Sequence, residues 1–167
     1  MRRATVCALL ALLVSTLVPS AGRAQGDLEQ ARQLQAEAQR HWNAGRYREG
    51  IPKAKEAIAL REKAHGPDHP QVAESLHVLG SLLRDSGDYA GARSPYERAL
   101  RIRESALGPN SPDVAATLQA LGYLLYVTGE DAAARPLAER ALRIQEQALG
   151  PGHPQLAFPL STLGLVH

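Results

Sequence analysis

The chain has 167 residues, of which 44% are apolar and only 4% aromatic, and this composition suffices for a packed core rich in Ala and Leu. Its formal net charge is +2, but three of its 19 basic residues lie in an N-terminal segment that we expect to be removed, which leaves 16 basic against 17 acidic residues. This balance argues against nucleic acid or an anionic membrane as the main partner.

Residues 1–24 have the layout of a secretory signal peptide. Two arginines precede a mostly apolar run, residues 4–18, and small residues follow it. Cleavage before Gln25 would place Gly22 and Ala24 where a signal peptidase requires small residues, so a periplasmic or extracellular location is expected. An uncleaved segment would instead make the protein a membrane-anchored adaptor, although about 15 apolar residues are fewer than the roughly 20 that a spanning helix needs.

The only cysteine, Cys7, lies within this N-terminal segment. The mature chain would therefore contain no disulfide, no cysteine metal site and no thiol nucleophile.

The rest of the chain is repetitive. Residues 66–107 recur without a gap as residues 108–149, and the two copies are identical at 23 of 42 positions. Such a period indicates a repeat protein. We divide residues 25–167 into units of about 27–65, 66–107, 108–149 and a truncated unit 150–167.

Each unit reads as a pair of helices. Apolar residues recur at spacings of three and four from Asp27 onward, which predicts a helix that ends near Asn43, where Gly45 suits a left-handed cap. A second helix is expected from about Tyr47 to Ala64.

The next units carry clearer start signals. Pro70 and Pro112 suit the first position of a helix, and Asp88 and Ser111 are predicted N-caps. The truncated unit offers a single helix, residues 154–167, so an all-α fold of about seven helices is expected.

The spacing of small and large residues resembles the tetratricopeptide repeat (TPR) consensus. In the second unit this consensus falls on Leu76, Leu79, Gly80, Leu83, Gly87, Ala92, Tyr96 and Ala99. The 42-residue period, with the stretches 66–70 and 97–104, resembles the repeats of kinesin light chains. The resemblance implies a right-handed α-solenoid of antiparallel helix pairs.

Similar arrays form the N-terminal part of exported bacterial proteins that end in a caspase-like CHAT domain. That protease domain requires a His and a Cys, and the mature chain would have no Cys, so no enzyme is expected within this chain. A regulatory or recognition role at the front of a larger CHAT-type peptidase stays open as the alternative function.

The resemblance also implies a function, because the first helix of each TPR pair lines a concave groove. Amides, hydroxyls and aromatic rings in 42-residue register suit an extended peptide, so a protein or peptide segment is the expected partner. The candidate groove residues are Gln35, Gln39, Trp42, His77, Ser81, Arg84, Asp85, Gln119, Tyr123 and Tyr126.

The apolar helix at residues 154–167 would lack the polar cap with which solenoids end, which predicts self-association through that helix.

No cofactor or metal is expected. His65 and His69 are separated by a helix-breaking Gly66-Pro67 pair, and a metal site would need a third or fourth ligand at fixed geometry. The Glu and Arg residues of the second helices, such as Glu104 and Arg140, are predicted to form exposed ion pairs along each helix.

Overall fold

The computed structural model describes residues 18–150, together with residues 153, 156 and 164. Within these residues the fold is all-α, as predicted. The six helices are α1 (Val18–Asn43), α2 (Tyr47–His65), α3 (Pro70–Asp85), α4 (Tyr89–Leu107), α5 (Pro112–Val127) and α6 (Asp131–Leu149). The predicted seventh helix, at residues 154–167, lies outside the described residues except at positions 156 and 164.

The first helix begins earlier than the sequence suggested. It starts at Val18 rather than near Asp27 and runs through the predicted cleavage point before Gln25. Pro19 is compatible with the first turn of a helix, and no further proline interrupts the segment. Among the described side chains of α1, the first buried residue is Ala31. A helix that began at Gln25 after cleavage would therefore keep all of these buried residues.

The other helix boundaries follow the predicted signals. Pro70 and Pro112 begin α3 and α5. The Asp88 carboxylate accepts a hydrogen bond from the Gly91 amide at 2.9 Å, and the Ser111 hydroxyl accepts one from the Val114 amide at 3.2 Å, which confirms both N-caps.

The turn between α3 and α4 depends on Gly87. Its φ of 89° lies in the left-handed region, where any residue with a Cβ atom would be strained. This angle reverses the chain in a short turn and sets the two helices side by side.

The helix pairs stack in chain order. The first helices of neighbouring units, α1, α3 and α5, come within 8 Å of one another between Cα atoms, whereas α2, α4 and α6 do not. The first helices therefore form the inner, concave wall of the described array. No helix in this part of the chain combines the length and the apolar character that crossing a bilayer requires.

Arg93 and Glu97 form an exposed ion pair along α4, as predicted, but other pairs on the outer side differ from the prediction. Arg98 of α4 reaches Glu62 of α2, and Arg140 of α6 reaches Glu104 of α4, so these pairs join neighbouring units. The four side chains are between 30% and 33% exposed. Each arginine also donates to a backbone carbonyl in the loop that opens its own unit, that of Pro67 for Arg98 and that of Pro109 for Arg140, because the long side chain lies across the junction with the preceding unit.

The core of the second unit is built on a glycine that faces an aromatic ring. Tyr96 of α4 is fully buried, and a Cβ atom at Gly80 of α3 would lie 2.8 Å from its ring carbons. The third unit has Ala138 in place of the tyrosine, and a Cβ atom at Gly122 would lie 3.4 Å from its nearest neighbour, the carbonyl oxygen of Ala134.

This difference predicts opposite effects for the same substitution. Gly80→Ala should destabilise the protein by about 1–3 kcal/mol, because the buried Tyr96 ring has no room to move. Gly122→Ala should be neutral or stabilising by up to about 1 kcal/mol, since it gains helix propensity without a clash. Denaturant unfolding followed by circular dichroism measures both, and equal effects of the two substitutions would contradict the packing described.

Candidate functional site

Side chains from three successive units meet on the inner wall. Trp42 Nε1 donates a hydrogen bond to Asp85 Oδ2 at 2.7 Å, and Arg84 Nε donates to Asp85 Oδ1 at 2.7 Å. The Arg84 guanidinium lies 5.5 Å from the centroid of the Tyr123 ring, and the Tyr123 and Tyr126 centroids are 6.4 Å apart. We call these five residues the aromatic strip; all of them were predicted groove residues.

Asp85 fixes the geometry of the aromatic strip. Burial disfavours its ionised form, but the hydrogen bonds from Arg84 and Trp42 outweigh burial, and the pKa of Asp85 is lowered. The carboxylate is therefore charged at neutral pH and holds the indole and the guanidinium in place. Because Trp42 and Tyr126 also pack against the core, their rings are partly buried and have defined positions.

A second column of predicted groove residues lies deeper. Gln35 is only 8% exposed, and its Oε1 accepts a hydrogen bond from the Ser75 hydroxyl at 2.8 Å. The equivalent His77 has a buried Nδ1, and the equivalent Gln119 has a buried Nε2; neither atom has a hydrogen-bond partner among the described residues. Two polar atoms one repeat apart thus lack partners in the described part of the inner wall.

His77 is held in its neutral form. Burial, followed by the positive charges of Arg103 and Arg84, lowers the pKa of His77 to about 3. Its ring meets that of Tyr96 edge to face, with centroids 5.5 Å apart. At neutral pH the imidazole is an uncharged hydrogen-bonding group.

Two other predicted groove residues have local roles. Ser81 is 1% exposed, and its hydroxyl shares a 2.9 Å hydrogen bond with the Tyr96 hydroxyl. Ser81 therefore belongs to the core, and the prediction that it faces a ligand is corrected. Gln39 stays at the surface, where its Nε2 donates to Asn43 Oδ1 at 3.1 Å.

The structure also places two arginines on the inner wall that sequence reasoning missed. Arg61 and Arg103 come from α2 and α4, and their side chains are 5% and 9% exposed. They line a cavity of about 400 Å³ together with Gln35, Gln39 and His77. The 42-residue register that links Arg61 to Arg103 is present in the sequence, but the helical pattern alone predicts that arginines on second helices are exposed.

His65, at the end of α2, and His69, in the loop that follows, lie closer to each other than predicted. The rings of His65 and His69 stack with centroids 4.1 Å apart, and His69 Nδ1 accepts from the Gln71 amide at 3.3 Å, which makes it the N-cap of α3. Among the residues that the structure describes, no three His, Cys, Asp or Glu side chains are placed to hold a metal ion.

The helix pairs, the glycine turns and the inner wall identify the family. A tetratricopeptide repeat model matches residues 41–105, 81–147 and 113–167. The chain belongs to the tetratricopeptide repeat family. TPR arrays are scaffolds for protein–protein interaction. A comparison with curated proteins found no match.

Several solved structures share the fold. Two crystal structures are of a Podosopora anserina protein that is named as a putative kinesin light chain with nearly identical TPR-like repeats, and one of the two is of a variant. Each matches with a TM-score of 0.73 at 22% identity over 81% of this chain. BtubC (BKLC) from P. vanneervenii matches with the same TM-score at 23% identity over 81% of the chain. The TPR chain spans 64% of the first two structures and 54% of the third.

The neutral state of His77 predicts a pH dependence of stability. A histidine with a lowered pKa takes up its proton on unfolding, so its contribution is complete above about pH 6.5 and declines as the pH falls toward 3. Between pH 7 and pH 5 this loss should amount to about 2 kcal/mol. His77→Gln, which installs the residue found at the equivalent Gln119, should remove that part of the slope.

Urea unfolding of both proteins at pH 7 and pH 5 measures the difference. His69, whose pKa is also lowered, is unchanged in both proteins and cancels in the comparison. An identical pH slope in the two proteins would show that His77 titrates as it does in the unfolded chain.

Proposed function

We propose that this TPR protein is an exported scaffold that binds a segment of another protein along its inner wall. The observation that carries the proposal is the aromatic strip, in which Trp42 of the first unit and the Tyr123–Tyr126 pair of the third unit are linked through Asp85 and Arg84 of the second. Rigid aromatic rings beside hydrogen-bonding groups are typical of surfaces that anchor a partner, since little entropy is lost when they bind.

The polar column supports a segment in extended conformation. The buried Nδ1 of His77 and Nε2 of Gln119 lie at equivalent positions of neighbouring units and lack protein partners among the described residues. An extended backbone presents unsatisfied N–H and C=O groups at regular intervals, whereas a helix uses most of its own internally. A bound strand would satisfy both atoms and recover the free energy that unpaired burial costs.

Export is the second part of the proposal and rests on residues 1–24. The apolar run after two N-terminal arginines supports secretion, with cleavage before Gln25. The nearly neutral mature chain favours a partner held by aromatic and hydrogen-bonding contacts over one held by net charge.

The groove is tested by selection of binding peptides from a random peptide library, followed by affinity measurements. Tyr123→Ala together with Tyr126→Ala should weaken the selected peptides at least about tenfold, because buried aromatic anchors carry most of the affinity. Tyr89→Ala with Leu107→Ala is the matched control, since these large apolar residues of α4 are exposed at 41% and 44% outside the inner wall.

Circular dichroism establishes that each double variant is folded. Peptides that bind the folded Tyr123/Tyr126 variant with unchanged affinity would place the binding surface elsewhere on the protein.

Export is tested separately by expressing the full chain in a Gram-negative host. We expect the protein in the periplasmic or extracellular fraction with Gln25 as its first residue, measured by N-terminal sequencing. Retention of Met1 on exported protein would contradict cleavage and favour the membrane-anchored alternative.

A further inference from the structure

The two buried arginines of the inner wall have almost the same surroundings. Arg61 Nη1 donates to the Gln71 carbonyl at 2.6 Å and to the Ser75 hydroxyl at 2.8 Å. One repeat later, Arg103 Nη1 donates to the Asp113 carbonyl at 3.0 Å and to the Thr117 hydroxyl at 2.6 Å. The backbone and hydroxyl contacts are therefore the same in the two units of this chain.

The counter-ion is the part that differs. Arg61 also donates to Glu74 Oε2 at 2.9 Å, but the residue equivalent to Glu74 in the next unit is Ala116. The carboxylate paired with Arg103 is that of Asp113, 3.9 Å from Nη2 and 63% exposed. Burial lowers the pKa of Arg103, and the negative charges of Asp113 and Glu74 oppose this shift only in part.

Arg103 also lines the cavity of the inner wall, whose other lining residues come from the first and second units. Three arginines, Arg32, Arg61 and Arg103, line it against a single carboxylate, Glu74. Arg32 has a partner in Glu29, and Arg61 uses Glu74. The ion-pair partner of Arg103 among the described residues is the exposed Asp113 carboxylate, so the positive charge of Arg103 in the cavity is incompletely compensated. A volume of about 400 Å³ admits one or two amino-acid side chains.

His77 adds a second feature that points to a ligand. It lines the same cavity, and its buried Nδ1 has no hydrogen-bond partner among the described residues. A neutral imidazole can carry its proton on Nδ1 and donate it to an oxygen atom. A guanidinium and a neutral N–H donor that line one cavity can each bond one oxygen of a carboxylate.

We propose that Arg103 and His77, both of the second unit, form a carboxylate-binding site in this cavity, where the ligand supplies the group that Glu74 supplies to Arg61. This inference rests on the proposed function, since the carboxylate would belong to the bound protein segment, either as an Asp or Glu side chain or as its C-terminus. Glu74 lines the cavity as well, and its negative charge repels a doubly charged phosphate about twice as strongly as a singly charged carboxylate.

The site is tested first with small probes that need no partner protein. Acetyl-Glu-amide carries only a side-chain carboxylate, acetyl-Gln with a free C-terminus carries only a terminal one, and acetyl-Gln-amide carries neither. We expect saturable NMR shifts of the Arg103 Nε–H and His77 ring signals with one or both acids and none with the neutral amide. The acid that saturates at the lower concentration identifies the source of the carboxylate.

Ala116→Glu is the decisive variant, because it places an internal carboxylate where Glu74 stands in the preceding unit. It should weaken the binding of the acids at least about tenfold and raise the melting temperature. Ala116→Gln, of the same size and without charge, should bind the acids as the wild type does. His77→Gln provides a second variant that keeps Arg103, and we expect severalfold weaker binding.

Equal shifts with the neutral amide, or undiminished binding of the acids to folded Ala116→Glu, would overturn the site. The peptide selection separates this inference from the proposed function. One outcome is that the selected peptides share no acidic residue and no free C-terminus at a fixed position, and that the probes do not bind. This outcome would support the peptide groove and refute the carboxylate site. Probe binding without any selected peptide would support the site and refute the peptide groove.

Discussion

The close approach of the two helices within each pair is the constraint on which the rest of the structure depends. In the second unit, Gly80 admits the buried Tyr96 ring so closely that even a methyl group would collide with it. Pairs held in this way stack with their first helices together, so that side chains 42 residues apart become neighbours on one wall. The hydrogen bond from Trp42 to Asp85 exists only because this stacking is regular.

The sequence was sufficient to predict the fold because its signals are local. Glycines with positive φ, prolines in first turns and the Asp88 cap each act within a few residues, and the repetition of these signals excluded other arrangements. The start of α1 differs from the prediction because the apolar pattern begins only at Leu28, whereas a helix can extend beyond the residues that carry such a pattern. Helix stability and helix burial are separate properties in such a segment.

The sequence predicted which positions recur along the candidate site, but it did not predict how deeply each side chain is buried. Each groove position follows from the 42-residue period, yet whether its side chain reaches solvent depends on what lies opposite in another helix. Gln35 is covered because Ser75 bonds to it, and Arg61 and Arg103 are buried because a hydroxyl and a carbonyl receive each guanidinium. An arginine on a helix surface is usually exposed, so composition alone gave no reason to place these two inside.

The differences between units are coupled across the helix pair rather than independent. The second unit has a tyrosine on its second helix, Tyr96, and a small residue on its first, Ser81, whose hydroxyl the tyrosine needs as a partner. The third unit has Ala138 on its second helix and Tyr123 on its first, and Tyr123 joins the aromatic strip. Moving the ring from the core to the inner wall changes the surface of that wall, while the second and third units both contain one tyrosine at this level. Exchanging residues at the groove position alone would leave either an unfilled space or a hydroxyl without its partner, so the core restricts which groove residues each unit accepts.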